Sequence, residues 1–182
     1  MNKIKDLLVT PPRDWDEFEE ICLDLWRCIW NDPNTQRNGT QGTKQNGVDI
    51  YGQRDQNGAL CGVQCKLKED WGNTGLSIRE LESEVVKAKG FEPPLSEYTI
   101  ATTGKVTAKV LEKARIITQE NQKNGFFSVF VISWDNILSE LDNYPQIAKK
   151  HYDIINNSII IEEIHKIQET QGLVSRQFSS VG

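Results

Sequence analysis

No segment constrains the fold of this chain more than the stretch from Val48 to Leu67. In Val48-Asp49-Ile50 an acid stands between two β-branched apolar residues, and in Val63-Gln64-Cys65-Lys66 apolar and polar residues alternate. Successive side chains of a strand point to opposite faces, so Asp49 opposes Val48 and Ile50, while Gln64 and Lys66 share the face opposite Val63 and Cys65. Asp55-Gln56-Asn57-Gly58 between them reads as a turn, Asn-Gly being a strong local hairpin signal. The pattern predicts strands over 48–51 and 59–67, paired antiparallel, with Asp49, Gln64 and Lys66 converging on one edge of a sheet.

The flanking segments supply helices. Asp14, after Pro11-Pro12-Arg13, suits a helix N-cap with Glu17 three residues on, and Asn31-Asp32-Pro33 stops that helix near Trp30. At about 100° per residue, Trp15, Phe18, Cys22, Leu25, Trp26 and Ile29 form one broad apolar arc. Glu19 falls inside that arc, about 40° from Trp15, whereas Glu20 lies about 140° round among Asp16, Asp24 and Arg27 and reads as a surface acid. A carboxylate in an apolar arc is costly unless a metal or a basic side chain answers it.

Downstream, Ser77 and Glu80 form a capping-box pattern for a helix to about Lys89. Tyr98–Thr102 reads as a strand, 106–121 as a helix, Phe126–Ile132 as the most strand-like run, and 135–141 as a short helix. With a short strand expected near Thr35–Arg37 in an otherwise loop-like 34–47, the order predicts an α/β fold. Its mixed sheet is antiparallel at the hairpin and parallel at the later crossovers. We expect one domain over 1–150 and a C-terminal extension or linker to a further module over 151–182, with a helix candidate at 159–167.

Composition narrows the class. The chain has 182 residues, 37% of them apolar, with six Phe, five Trp and four Tyr, which suits a packed core. No run of about eighteen apolar residues suggests a membrane span. The N-terminus does not read as a signal peptide. Cys22, Cys28, Cys61 and Cys65 lie in apolar periodic segments, as free thiols of a reducing cytoplasm would. Cys61 and Cys65 fall on one extended strand with no knuckle turn between them, and His151 and His165 lie far along the chain, which argues against structural zinc. The net charge of -5 is uneven: net -4 over 1–35, +2 over 36–125 and -3 over 126–182. The middle is therefore the part least hostile to a polyanion.

Asp49 offers a carboxylate and Gln64 an amide oxygen to a hard cation such as Mg²⁺, with the Cys65 carbonyl as a further donor. Lys66 can orient or help deprotonate an attacking water, or stabilise charge developing on phosphorus. Lys105, Lys109 and Lys113 recur at four-residue spacing and form one positive stripe on a helix, able to follow a phosphate backbone. Arg37, Lys44, Lys68 and Trp71 lie nearer the proposed site in sequence.

Phe18-Glu19, Gly47-Val48-Asp49-Ile50 and Val63-Gln64-Cys65-Lys66 together resemble the Mrr-type branch of the PD-(D/E)xK nuclease superfamily, over roughly residues 14–140. The resemblance implies a restriction-endonuclease-like mixed sheet flanked by helices. It implies a catalytic set of Glu19, Asp49, Gln64 and Lys66, with metal held by Glu19, Asp49, Gln64 and Cys65. The implied cofactor is Mg²⁺, with Mn²⁺ as a substitute. The implied partner is double-stranded DNA, and the basic residues Arg37, Lys44, Lys68, Lys105, Lys109 and Lys113 are the contacts expected from their spacing and their place in the sequence. Many relatives of this type occur in restriction or antiphage defence, often joined to sensor or ATPase modules. Cutting both strands needs two active-site events, so a homo-oligomer is expected. Gln64 replaces the acid common in the superfamily, as is usual in the Mrr branch, and Gln45-Asn46 departs from the residues relatives often carry before the Gly-Val-Asp run. A structure-specific nuclease on branched DNA or RNA, and a catalytically silent nucleic-acid-binding or assembly module, are the alternatives.

Overall fold

The computed structural model describes residues 9–39, 42, 45–70 and 73–152. Five strands form one sheet in the order of the chain: β1 (Gln36–Arg37), β2 (Ile50–Gln53), β3 (Leu60–Lys66), β4 (Glu97–Thr102) and β5 (Ser128–Ile132). The β1–β2 and β2–β3 pairs are antiparallel, and the β3–β4 and β4–β5 pairs are parallel. The mixed sheet expected from the sequence is therefore present, with its antiparallel half at the hairpin and its parallel half at the crossovers.

Helices α1 (Trp15–Ile29), α2 (Ile78–Ala88), α3 (Ala108–Lys123) and α4 (Trp134–Leu141) flank the sheet. Each starts where a side chain can satisfy an otherwise unpaired N–H. Asp14 accepts from Glu17 N, Ser77 forms a reciprocal capping box with Glu80, and Thr107 and Ser133 cap the other two. One core joins Leu81, Val85 and Ala88 of α2 and Val110, Ala114 and Ile117 of α3 to Tyr98, Ile100, Val129 and Val131 of the sheet. On α1, Phe18, Ile21, Cys22 and Leu25 are fully buried, and Phe18 meets Trp134 of α4 edge-on with ring centroids 6.2 Å apart. The central strand β3 is buried on both faces, from Cys61 through Cys65.

Three boundaries differ from expectation. β2 begins at Ile50 rather than Val48, so Asp49 stands just ahead of the strand. The hairpin is closed by a 3-10 turn over Arg54–Gln56, in which Asp55 and Gln56 take left-handed backbone conformations (φ 49° and 68°). α3 starts at Ala108, because Thr107 takes the N-cap role, so Lys105 precedes the helix.

Chain compactness separates a unit ending at Tyr144 from one starting at Pro145, and within the latter α5 spans Pro145–His151. The helix candidate at 159–167 lies outside the described residues. Among the described residues, no helix is long and apolar enough to cross a membrane.

Candidate active site at the edge of the hairpin

The site begins where the β2–β3 ladder ends. The Asp49 N–H still bonds the Val63 carbonyl at 2.8 Å, and the Asp49 carbonyl accepts from Asn38 N at 2.7 Å. Continuing the Ile50–Val63 register by one residue sets Asp49 opposite Gln64. Upstream of Asp49 the backbone turns into a loop, so the next edge-facing N–H of β3, at Cys65, needs another acceptor. The Asp49 side chain provides it: Oδ2 accepts from Cys65 N at 2.7 Å and from Gln64 Nε2 at 2.6 Å. In a strand the N–H and C=O of one residue point to the same side, so the Cys65 carbonyl also faces this edge, where the Gln64 amide donates to it at 3.3 Å.

The loop before Asp49 is clasped by amides. Asn38 Nδ2 donates to the carbonyls of Gln45 and Val48 at 2.9 Å each, Gln45 Nε2 returns a bond to Asn38 O at 3.0 Å, and Asn46 Nδ2 reaches Gly90 O at 2.8 Å. Tyr98 Oη donates to Gly47 O at 2.7 Å. Gln45-Asn46, the departure noted in the sequence, thus builds the loop that delivers Asp49. Gly47 takes φ +67°, and a Cβ there would lie 2.9 Å from Lys87 Cβ and 3.2 Å from Glu84 O. Glycine lets this loop lie directly on α2.

Lys66 leaves the same face of β3 as Gln64, and its Nζ pairs with Glu84 Oε1 of α2 at 2.7 Å. The same oxygen takes Lys87 Nζ at 2.9 Å. Asp49, Gln64, Lys66, Glu84 and Lys87 line one open pocket of about 400 Å³, closed on another side by the 45–47 loop. Glu84 and Lys87 were not anticipated, although a signal existed. Glu84 falls on the buried helical face with Leu81, Val85 and Ala88, the same phase argument that picks out Glu19.

Glu19 approaches from the α1 side and does not line that pocket. Its side chain is 3% exposed, and Oε1 accepts from Arg37 Nε at 2.9 Å. Arg37 also donates to Asp16 O at 3.1 Å. The basic partner that Glu19 requires is therefore Arg37, a residue expected to contact DNA. Burial pushes the Glu19 carboxyl up to about 7 despite Arg37, with the negative charge of Asp49 adding to the rise. Burial likewise lifts Asp49 to about 6, against the hydrogen bond from Cys65 and the charge of Lys66. Glu84 is buried too, yet its bonds to Lys66 and Lys87 bring it below the ordinary carboxylate value.

Of the other residues expected at a nucleic-acid surface, Lys68 pairs with Glu80, and Lys113 pairs with Glu82 at 2.8 Å. Lys109 lies on α3, but Lys105 sits in the loop before it. The three-lysine helical stripe is therefore reduced to Lys109 and Lys113, because Thr107 ends the helix short of Lys105. Lys44 and Trp71 lie outside the described residues. The four cysteines are free thiols, three of them buried and Cys28 half-buried. Burial and a hydrogen bond with Cys22 hold the Cys65 thiol well above its ordinary pKa, so its sulfur is not a thiolate donor.

Among the described residues, no group of three or more His, Cys, Asp or Glu is arranged to hold a metal. The donors at this edge are instead the Asp49 carboxylate, the Gln64 amide and the Cys65 carbonyl, with the Glu19 carboxylate on the α1 side, outside the pocket lining. Two of their buried oxygens, Glu19 Oε2 and Gln64 Oε1, have no hydrogen-bond partner. Buried oxygens without donors, next to acids whose ionisation is disfavoured, fit a hard divalent cation.

Residues 13–124 match the family model of the Mrr catalytic family, described as restriction endonuclease. The chain belongs to this family, within the PD-(D/E)xK superfamily. No curated protein matches it significantly. Among solved structures it is similar to the MspJI restriction endonuclease in complex with a 27-mer oligonucleotide, at 15% identity and a TM-score of 0.43 over 75% of this chain. The matched part spans 32% of that protein, and the family assignment does not draw on it.

Proposed function

We propose that this chain is a metal-dependent endonuclease that hydrolyses phosphodiester bonds of double-stranded DNA, in the setting of restriction or antiphage defence. The observation that carries the reading is the hydrogen-bonded convergence of Asp49, Gln64 and Cys65 at a pocket edge, with Lys66 beside them. Asp49, Gln64, the Cys65 carbonyl and, from the α1 side, Glu19 are the residues that would hold Mg²⁺, or Mn²⁺ in its place. A bound cation of this kind supplies Lewis acidity toward the phosphate and lowers the pKa of water.

The chain's own part is positioning and charge. Hydrolysis forms a P–O bond from water and breaks the bond to the leaving oxygen, which takes up a proton, while negative charge grows on the phosphoryl oxygens. Lys66 brings an ammonium to that charge from β3, the strand whose Cys65 N–H bonds Asp49. The Cys65 N–H and the Gln64 amide hold the Asp49 carboxylate in one orientation. Cutting both strands takes two cleavage events, so a homodimer or higher assembly is the expected acting form, and a sensor or ATPase module is the expected regulator.

Plasmid and linear duplex, incubated with the full chain and Mg²⁺, Mn²⁺ or chelator, test the reading directly. Cleavage is expected with either metal and not with chelator. Asp49→Ala and Lys66→Ala should each lower the rate by at least about 100-fold, the usual scale for loss of a charge-stabilising group. Faster cleavage of branched DNA or RNA than of duplex would replace the substrate. Metal-independent rates, or an unaffected Asp49→Ala, would mean that the cleavage does not come from this site, and no cleavage under any of these conditions would leave a silent binding module.

A further inference from the structure

We infer that Glu84 is a positioning residue for Lys66: it sets where the ammonium sits over the site without itself touching the scissile phosphate. The inference rests on the nuclease reading above and adds to it a residue on a different element. Glu84 is 7% exposed at its side chain, and its Oε1 receives Lys66 Nζ at 2.7 Å and Lys87 Nζ at 2.9 Å.

A lysine on a strand end has four side-chain torsions and sweeps a wide volume, so an ammonium needed at one point requires an anchor. Surface ion pairs seldom provide one, since solvent and side-chain entropy consume their small gain. This pair differs because the acid is buried and cannot follow the lysine. Glu84 lies on the inward face of α2 with Leu81, Val85 and Ala88, and Gly47 packs against it from the loop that delivers Asp49. Its position is thus fixed by the same packing that fixes Asp49. One carboxylate oxygen shared by two ammoniums leaves that trio at a net +1, which the Asp49 carboxylate of the same pocket balances when ionised, and Lys87, 54% exposed at its side chain, is the ammonium of the two that meets solvent.

The experiment uses the full chain with Glu84→Gln, which keeps side-chain shape and removes the charge, alongside Glu84→Asp. On a labelled duplex with Mg²⁺, Glu84→Gln should lower kcat by about 10- to 100-fold, the range for lost supporting contacts behind reactive groups. KM should stay within about two-fold of the parent, since loss of a contact made only in the transition state falls on kcat. In a Lys66→Ala background, Glu84→Gln should cost nothing further; with Lys66 present, Glu84→Asp should retain more of the rate than Glu84→Gln.

Relaxation of the ¹⁵N-labelled Lys66 ammonium gives a readout without catalysis: it should be ordered in the parent and rotate freely in Glu84→Gln. An unchanged kcat in Glu84→Gln while Lys66→Ala is inactive, full additivity of the two changes, or an equally ordered Lys66 ammonium in the variant each overturns the inference. A parent that does not cleave at all sinks the nuclease reading instead, and the ammonium relaxation then still decides whether Glu84 orders Lys66.

Discussion

Glu19 and Asp49 are both acids that burial keeps reluctant to ionise, at about 7 and about 6 respectively. Between about pH 4 and 7 the folded chain holds protons that the unfolded chain has released, so these acids erode stability as pH rises through that window and no further above it. A cation bound at the edge reverses the preference, because it binds the ionised forms. Two consequences can be measured by thermal unfolding. In metal-free buffer, Glu19→Gln should gain on the parent as pH rises from about 4.5 to 7.5, because the amide cannot incur the cost of ionising. Mg²⁺ at about 100 times its Kd should stabilise the parent by about 2.7 kcal/mol at pH 8 and much less at pH 5, where protons compete. An equal Mg²⁺ effect at both pH values would show that these acids are not its ligands. Glu19 was legible because helical phase alone separates it from Glu20. What the sequence could not reveal was its partner, since Arg37 comes from a two-residue strand whose place depends on long-range pairing.

At the scale of elements, the hairpin was legible because strand alternation and a polar turn segment are local signals, though its left-handed residues are Asp55 and Gln56 rather than Asn57-Gly58. The capping residues of α1 and α2 were legible for the same reason. The start of β2 was not. Val48 and Ile50 carry the strand pattern, but whether Asp49 belongs to the ladder depends on the loop clasped by Asn38, Gln45, Asn46 and Tyr98, contacts that reach as far as 51 residues along the chain. α2 likewise does more than its capping box announced: Glu80, Glu82 and Glu84 hold lysines from β3, α3 and the segment after β3. The seam between loop and helix is sharpest at Gly47. Gly47→Ala should destabilise the chain by about 1–3 kcal/mol, combining a left-handed backbone with contact against α2. Gly125 provides the comparison, with φ +73° and nothing within 4 Å of its added Cβ. Gly125→Ala carries the backbone cost alone and should destabilise less in urea titrations. Equal losses would mean that the loop can lift from α2 without penalty.

Over the whole molecule, the question is which cations remain to meet a polyanion. The net charge is -5, and the basic residues nearest the site are largely matched: Arg37 by Glu19, Lys68 by Glu80, Lys113 by Glu82, and Lys66 and Lys87 by Glu84. Lys105 and Lys109 take part in none of the ion pairs among the described residues, and the loop carrying Lys105 bridges Gly75 close to where Gly104 abuts the Lys68 side chain. A lysine already paired must leave its acid before it can displace a counterion from DNA, whereas an unmatched one need not. The slope of log K against log salt therefore discriminates between them. Measured on duplex DNA with Ca²⁺ in place of Mg²⁺ to hold back cleavage, Lys105→Ala and Lys109→Ala should each shrink the slope by about 1. Lys113→Ala should change it less, because Glu82 already claims that charge. If Lys113→Ala gives the full decrement and Lys105→Ala none, DNA tracks the outer face of α3 and separates the paired charges on its way to Asp49. Binding would then be coupled to breaking the contacts that α2 makes with its neighbours.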